Sequence, residues 1–492
     1  MKSAFLAVLL CVCGGWAHSA EPRFLVVVLD GLRPDYVTEA LMPNLRALAN
    51  SGVEFENHHA VFPTVTRVNS ASLSTGSYPE THGLMGNHVY FPEVDPDQAL
   101  NTSDYRNLMR INEATGGNLL TATTLGEVLE ENGLKMLALS SGSTGSAMLM
   151  NHTLAGEGVI NVGVILPESN TARVHAAIGP APEDSVPAYA RNAWVVDAYI
   201  KIALNDTQPD VTYMWLTDPD HTAHEHGIGH PTTNDAIRGV DRELGRILAA
   251  HTERDLTDSV NIMVTSDHGF STHIGGFNIM KLLREKGLDD GVVVAGGAIH
   301  LKNGSEEQVR MMVLALQQDD WSGPIFRTEQ DRRFNGPPDS SYIPSLSFDT
   351  IRWEHDRSAD ILVAPMWDDG SNEQGYRGRT TSNGVAGHGS TSPYDMHNTL
   401  IAVGPAFKEK HQTEAPTSNS DIAPTILNLL KIPPPESMTG RAIDEALLGH
   451  SDFDRRQLNE KKTTASFHEY ESVLEAVGYR GHYYFNHAAA ER

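Results

Sequence analysis

Thr66 stands where a loop gives way to a helix, in the stretch Phe62-Pro63-Thr64-Val65-Thr66-Arg67-Val68-Asn69. A hydroxyl at a helix start lies in the positive end of the dipole, beside backbone N–H groups that lack a helical partner. Such a position holds an anion and favours an alkoxide. Asp30, Asp220 and Asp267 each come just after an apolar run of strand length. Three carboxylates gathered at one sheet edge repel one another unless cations lie between them. His224 follows Asp220 by four residues, which puts both side chains on one face of a helical turn. Asp267 and His268 are adjacent, so they serve one metal only if the backbone bends. His388 sits between Gly387 and Gly389 on a loop. This mix of oxygen and nitrogen ligands suits zinc, and also manganese or iron.

Taken singly, each of these residues has an ordinary structural role. A threonine at a helix start is commonly an N-cap, and so is an aspartate after a strand. A lone histidine in a loop is usually solvated. The segment 221–230 holds so many histidines that several must be non-ligands or must donate to ligands. His82 and His397 are read as structural or supporting. The set becomes specific only when read together.

The elements that must position these residues alternate along the chain. Strands are expected at 24–29, 135–140, 211–216 and 260–265, and helices at 42–49, from 66, at 124–131, 192–204 and 234–250. That alternation predicts an α/β fold, a mostly parallel sheet sandwiched by helices. In such sheets ligands bind beyond the carboxyl ends of the strands. From 271 to 360 short apolar runs alternate with polar loops, as in an inserted cap. Strand character resumes at 361–365 and 399–403, and a helix follows at 422–430. The expected organisation is a signal peptide at 1–20, a catalytic core at 21–270 and 361–450, a cap at 271–360, and a C-terminal tail at 451–492.

At 492 residues the chain is long enough for one large domain with an insertion, or for two domains. Its formal charge is 37 − 63 = −26. That balance excludes binding of nucleic acid or an anionic membrane by bulk electrostatics. An anionic substrate therefore needs local positive charge, which bound metal ions supply. Met1-Lys2 and the apolar run at 4–13, too short to span a bilayer, read as a secretory signal peptide. Cys11 and Cys13 both lie inside it, so the mature chain would have neither disulfides nor thiolate ligands. No later apolar run approaches membrane-spanning length. The expectation is an exported protein, periplasmic or secreted, and the sequence gives no sign of its oligomeric state.

The residues resemble the nucleotide pyrophosphatase/phosphodiesterase family of the alkaline phosphatase superfamily. The resemblance rests on Val28-Leu29-Asp30-Gly31-Leu32-Arg33-Pro34, Pro63-Thr64-Val65-Thr66 and Thr75-Gly76-Ser77-Tyr78-Pro79-Glu80-Thr81-His82-Gly83. It continues through Gly86-Asn87, Asp220 with His224, Ser266-Asp267-His268-Gly269, Gly387-His388-Gly389 and Ser420-Asp421-Ile422-Ala423-Pro424-Thr425. It implies an alkaline-phosphatase-like sheet carrying two zinc ions. Asp220, His224 and His388 would hold one of them. Asp30, Asp267 and His268 would hold the other, with the Thr66 hydroxyl as a further ligand. Thr66 would be the nucleophile that forms a phosphothreonine, and Asn87 would hydrogen-bond a phosphoryl oxygen. The implied substrate is a small-molecule phosphate ester.

Two departures bear on specificity. Relatives acting on nucleotides carry an aromatic residue directly after the nucleophile, where this chain has Arg67. A guanidinium there suits a second anionic group on the substrate, or lies on the helix surface. Related monoesterases also carry Lys and Arg in a loop whose counterpart here, 141–146, is uncharged. That favours diesters, with a phosphomonoesterase or a phosphonate hydrolase as alternatives on the same metal centre. A metal-stabilised binding protein without turnover is the alternative from a different class.

Overall fold

The computed structural model describes residues 23–276, 278–328 and 343–492. The expected signal peptide, with Cys11 and Cys13, lies outside the described residues. Arg23–Leu29 reads RFLVVVL, and a β-branched run with no polar face forms a strand buried on both sides. Val211–Leu216 and Val260–Thr265 flank it, both parallel. Successive side chains point to opposite faces. Leu25, Val27 and Leu29 pack with Trp194, Val240 and Leu244 of helices Tyr189–Ala198 and Pro231–Glu253. Phe24, Val26 and Val28 pack with Leu73, Ile426 and Leu427 of helices Thr66–Thr75 and Ile422–Leu430.

The full sheet has nine strands, with Met136–Ser140 and Gly158–Asn161 continuing the parallel set on one side. On the other side Leu400–Val403 runs antiparallel to Val260–Thr265 and to Val53–Phe55. The fold is thus the expected α/β arrangement around a mostly parallel sheet. The helix anticipated at 192–204 is Tyr189–Ala198, continued by wider π-helical turns over Tyr199–Thr207. Leu125–Glu131 starts on a capping box, in which Thr124 and Glu127 exchange hydrogen bonds with each other's backbone N–H.

A second sheet has the order Val292–Ala295, Ala298–Leu301, Ile361–Pro365, Ser322–Arg327, Leu346–Ser347. Ile361–Pro365, expected to return the chain to the core, is instead the middle strand of this sheet. An apolar run of five residues specifies a buried strand but not which sheet buries it. The helices Ile279–Glu285 and Glu306–Gln317 cover one face, through Leu283, Met312 and Val313. A small sheet formed by Ser271–His273, Trp367–Ser371, Arg377–Thr380 and Ala386–Gly387 lies between the two in sequence.

Residues 459–491, within the expected tail, form a three-stranded antiparallel sheet of Asn459–Phe467, Tyr470–Tyr479 and His482–Glu491. Leu474, Phe485 and Ala488 pack with Phe62, Phe326 and Leu362, so this sheet covers the cap and touches the segment that leads to Thr66. A buried clamp secures it to the core. The Tyr484 hydroxyl donates to Asp421 Oδ2 at 2.9 Å and accepts from Arg441 Nε at 2.7 Å. Arg441 also forks onto Glu445, at 2.6 and 2.9 Å. Among the described residues no helix is long and apolar enough to cross a membrane.

Tyr484→Phe removes one partner each from a buried cation and a buried carboxylate while keeping the ring. A cost of about 1–3 kcal/mol is expected for groups left short of a partner in this way. It would be read as a lower urea midpoint, and a midpoint equal to the parent's would show that the clamp does not stabilise the sheet.

Candidate metal centre

The three central strands deliver three carboxylates to one edge. Asp30 follows Leu29, Asp267 comes two residues after Thr265, and Asp220 opens the helix Asp220–His226 beyond Leu216. Asp30 and Asp267 are 4% and 0% exposed, which is costly for charges unless something compensates them. Each carboxylate has a committed oxygen and a spare one. Trp215 Nε1 donates to Asp30 Oδ2 at 2.9 Å, and the Gly31 N–H donates to Asp267 Oδ1 at 3.0 Å. The other oxygens, Asp30 Oδ1 and Asp267 Oδ2, are buried with no hydrogen bond, as is Asp220 Oδ1.

The imidazoles complete the pattern. His224 Nδ1 lies 3.0 Å from the Ala386 carbonyl, His268 Nδ1 2.9 Å from the Gly269 carbonyl, and His388 Nδ1 2.8 Å from the Thr64 carbonyl. A carbonyl only accepts, so each Nδ1 carries a proton and Nε2 is the nitrogen left to bind a metal. Those Nε2 atoms face the spare carboxylate oxygens. Asp220 Oδ1 lies 3.2 Å from His224 Nε2 and 3.3 Å from His388 Nε2. His268 Nε2 lies 2.9 Å from Asp267 Oδ2 and 3.7 Å from Asp30 Oδ1. The rings of His268 and His388 stack at 3.5 Å.

The bend that Asp267-His268 requires is present. Ser266 Oγ accepts the Leu32 N–H and donates to the His268 carbonyl, folding the loop back on itself. Thr66 is the first residue of its helix, with Val65 at the cap position, so its hydroxyl does not cap the helix. Instead Thr66 Oγ1 lies 3.5 Å from His268 Nε2. Thr64 plays a different part: its hydroxyl donates to the Ser390 carbonyl and accepts the Gly389 N–H, tying down the loop that bears His388. Asn87 Oδ1 accepts the Arg67 N–H at 3.0 Å, which leaves the amide Nδ2 as a donor beside Thr66.

The stretch from residue 24 to 390 matches the family model described as type I phosphodiesterase / nucleotide pyrophosphatase. The chain belongs to that family. Among curated relatives, a bis(5'-adenosyl)-triphosphatase of Xenopus laevis is 26% identical over 277 residues, covering 54% of this chain and 52% of that protein. A venom phosphodiesterase of Crotalus durissus collilineatus is 27% identical over 251 residues, covering 51% of this chain and 26% of that protein. The chain thus spans about half or less of these relatives' lengths. Among solved structures, that of murine ectonucleotide pyrophosphatase/phosphodiesterase 5, an inactive threonine-to-alanine variant with AMP, superposes with a TM-score of 0.60 at 19% identity. That alignment covers 87% of this chain and all of the murine one, and the likeness is one of fold.

Members of this family are metal-dependent phosphodiesterases, and the residues here fit metal ions. Asp30, Asp267 and His268 bring three ligand atoms within 4.8 Å of one another, and so do Asp220, His268 and His388. Burial, then the facing Asp267 and Asp220, push Asp30 well above the usual carboxyl range. Burial raises Asp220 as well, but His224 and His388 outweigh it and hold that carboxyl well below. Carboxylate oxygens and imidazole Nε2 atoms gathered in this way form a donor set that a metal ion can occupy in place of the imidazole protons.

The Arg67 side chain is part-buried, its Nε without a partner, and its positive charge faces Asp30, Asp220 and Asp267. It does not lie out on a free helix surface. His82 is buried between Ser72 Oγ and the Leu84 N–H, and His397 lies against His59, so both are structural. Within the histidine-rich segment, His226 stacks on His230, whose Nδ1 caps the helix Pro231–Glu253. Sequence reasoning passed over Trp215 and Asn419. Trp215 gives no outward sign, since it reads as one more apolar residue of a strand. Asn419 does have a signal in hindsight, because it adjoins the quoted motif that begins at Ser420.

Trp215→Phe keeps the packing and frees Asp30 Oδ2 from its donor. Loss of such an orienting hydrogen bond lowers metal affinity about 10–100-fold. Competition against a zinc chelator would measure it, and an unchanged affinity would show that Asp30 needs no such support.

Proposed function

We propose that the chain is an exported, zinc-dependent phosphodiesterase that works through a phosphothreonine on Thr66. The observation that carries this reading is the set of spare, buried carboxylate oxygens converging with imidazole Nε2 atoms beside a threonine hydroxyl at a helix start. Asp220, His224 and His388 would hold one zinc ion, and Asp30, Asp267 and His268 with Thr66 the other. Zinc bound there supplies a lowered pKa for the hydroxyl it contacts and positive charge for the oxygens of the reacting phosphoryl group.

The chain's own residues do the rest. Thr66 Oγ forms a bond to phosphorus, and the bond from phosphorus to the departing ester oxygen breaks in line with it. The N–H groups of the first helical turn and the Asn87 amide take up charge on the equatorial oxygens. Water then hydrolyses the phosphothreonine and returns Thr66. The murine protein whose structure is described as inactive carries a threonine-to-alanine change, which supports a threonine in this role.

Arg67 shapes the choice of substrate. Its part-buried guanidinium, close to the reacting centre, pairs with a second anionic group such as a carboxylate or another phosphate. Loop 141–146 offers no cation, and Ser141 and Ser143 are occupied in structural hydrogen bonds to Asn192 and to the backbone of Ser146. A dianionic monoester therefore meets less positive charge than in a phosphatase, and a diester is the better fit. Residues on an exported enzyme's path, such as the signal peptide expected at 1–20, accord with relatives named as venom and ecto-enzymes.

The test is kcat/KM of zinc-loaded protein on an aryl phosphodiester and on the matching monoester. Diester preference that vanishes in Thr66→Ala is the expected result, and monoester preference would overturn it. For Arg67→Ala the expected loss is about 10–100-fold on a diester whose retained arm bears a carboxylate, the worth of a charged hydrogen bond. The same variant should change little on the uncharged analogue, and equal losses on both would exclude the pairing.

A further inference from the structure

A cavity of about 180 Å³ opens beside the site, between the segment around Asn87 and the cap. Val65, Met85, Asn87 and His388 line it from the core, and Gly296, Ala298 and Leu362 from the cap. The cap reaches it through the hairpin of Val292–Ala295 and Ala298–Leu301, whose turn is Gly296-Gly297. Gly296 adopts φ +66°, a left-handed conformation that suits glycine. A Cβ on Gly297 would come within 2.4 Å of the Val363 carbonyl, so only glycine lets the hairpin press this closely on Ile361–Pro365.

Two properties of the cavity decide what it takes. Among the described residues no Asp, Glu, Lys or Arg lines it, and Arg67 is not part of its lining. Its volume is slightly above the roughly 150 Å³ that holds a benzene ring, and below the roughly 300 Å³ at which pockets for larger ligands begin. Its position decides which part of the substrate enters. In an in-line displacement the departing oxygen lies opposite the attacking one. Thr66 Oγ1 lies 3.5 Å from His268, of the set proposed to hold one zinc ion, whereas the cavity is lined by His388, of the set proposed to hold the other, and not by Thr66 or His268.

We infer that this cavity receives the leaving group, and that the leaving group is small and uncharged: a single ring or a short alkyl chain. The inference rests on the phosphodiesterase reading and deepens it. The Thr66 hydroxyl gives its proton to water, the bond from Thr66 Oγ to phosphorus forms, the phosphorus–oxygen bond to the small group breaks, and the released oxyanion takes a proton from water. Any second anionic group of the substrate is then on the retained arm, towards Arg67. A nucleotide or polyphosphate leaving group is both too large and too charged for the cavity.

The test uses zinc-loaded full-length protein and three methyl aryl phosphodiesters. Their leaving groups are 4-nitrophenol, the same ring bearing a carboxylate, and a two-ring nitronaphthol. The expected result is a kcat/KM at least about tenfold higher for 4-nitrophenol than for either of the others. Ala298→Leu, which fills the cavity from the cap strand, should narrow the ratio between 4-nitrophenol and a methanol-sized leaving group such as trifluoroethanol. Ser382→Lys, at the cavity wall, should raise the carboxylated substrate relative to the neutral one. Ratios measured on one preparation do not depend on its active fraction, so a poorly folding variant still reports. Equal rates across the leaving groups, with turnover abolished by Thr66→Ala, would overturn this inference alone. No diester turnover at all would overturn the reading it rests on.

Discussion

The structure is governed by negative charge gathered at the carboxyl edge of its central strands. Asp30 and Asp267 are almost fully buried, Asp220 lies beside them, and each keeps an oxygen that no hydrogen bond satisfies. Burying such groups near one another opposes folding unless positive charge enters between them. The same repulsion explains why the surroundings are so tightly specified. Trp215 and the Gly31 N–H each fix one oxygen, so only the other is free to turn inwards. Carbonyls of Ala386, Gly269 and Thr64 hold a proton on Nδ1 of the three imidazoles and turn Nε2 towards the carboxylates.

The helix that begins at Thr66 is tied into this arrangement through buried amides. Asn419 Nδ2 donates to the Asp267 carbonyl and to Asn69 Oδ1, each at 3.0 Å, and Asn69 Oδ1 also accepts the Val61 N–H. One side chain thus bridges the loop that carries Asp267 and His268 and the helix that carries Thr66. Its own carbonyl oxygen is shared with His58 and Thr265. Networks satisfied to this degree rigidify what they join. The distance from Thr66 Oγ1 to His268 is therefore set by the core and not by the loops alone.

Much of this was legible in the sequence, for an identifiable reason. Mainly apolar runs followed within two residues by aspartate mark Val211–Leu216 and Val260–Thr265 to the residue, because a strand buried on both faces is mostly apolar and its end is where solvent or ligand begins. The same signal misassigned Ile361–Pro365, since apolarity reports burial and is silent on the partner strand. The C-terminal sheet was read only as a tail. Its first strand, NEKKTTASF, faces largely outwards, and its pairing is fixed by the next two strands and by Tyr484. The residues proposed as ligands, which the structure brings to one sheet edge, could be picked out by type and spacing. Their supports could not, because a tryptophan indole or an asparagine amide acts through distances that no local pattern encodes.

The order of strands in the sheet has a kinetic consequence. Arg23–Leu29 lies between two parallel strands that begin at residues 211 and 260, so the most apolar segment near the start of the described chain finds its partners late. Contacts between such distant segments must overcome the entropy of closing long loops, which slows folding and prolongs exposure of sticky strands. During synthesis this strand waits unpaired while the intervening chain is made, a natural substrate for chaperones that hold extended apolar segments. Since Asp30 directly follows that strand, the edge that gathers Asp30, Asp220 and Asp267 cannot be completed before residue 267 has been made.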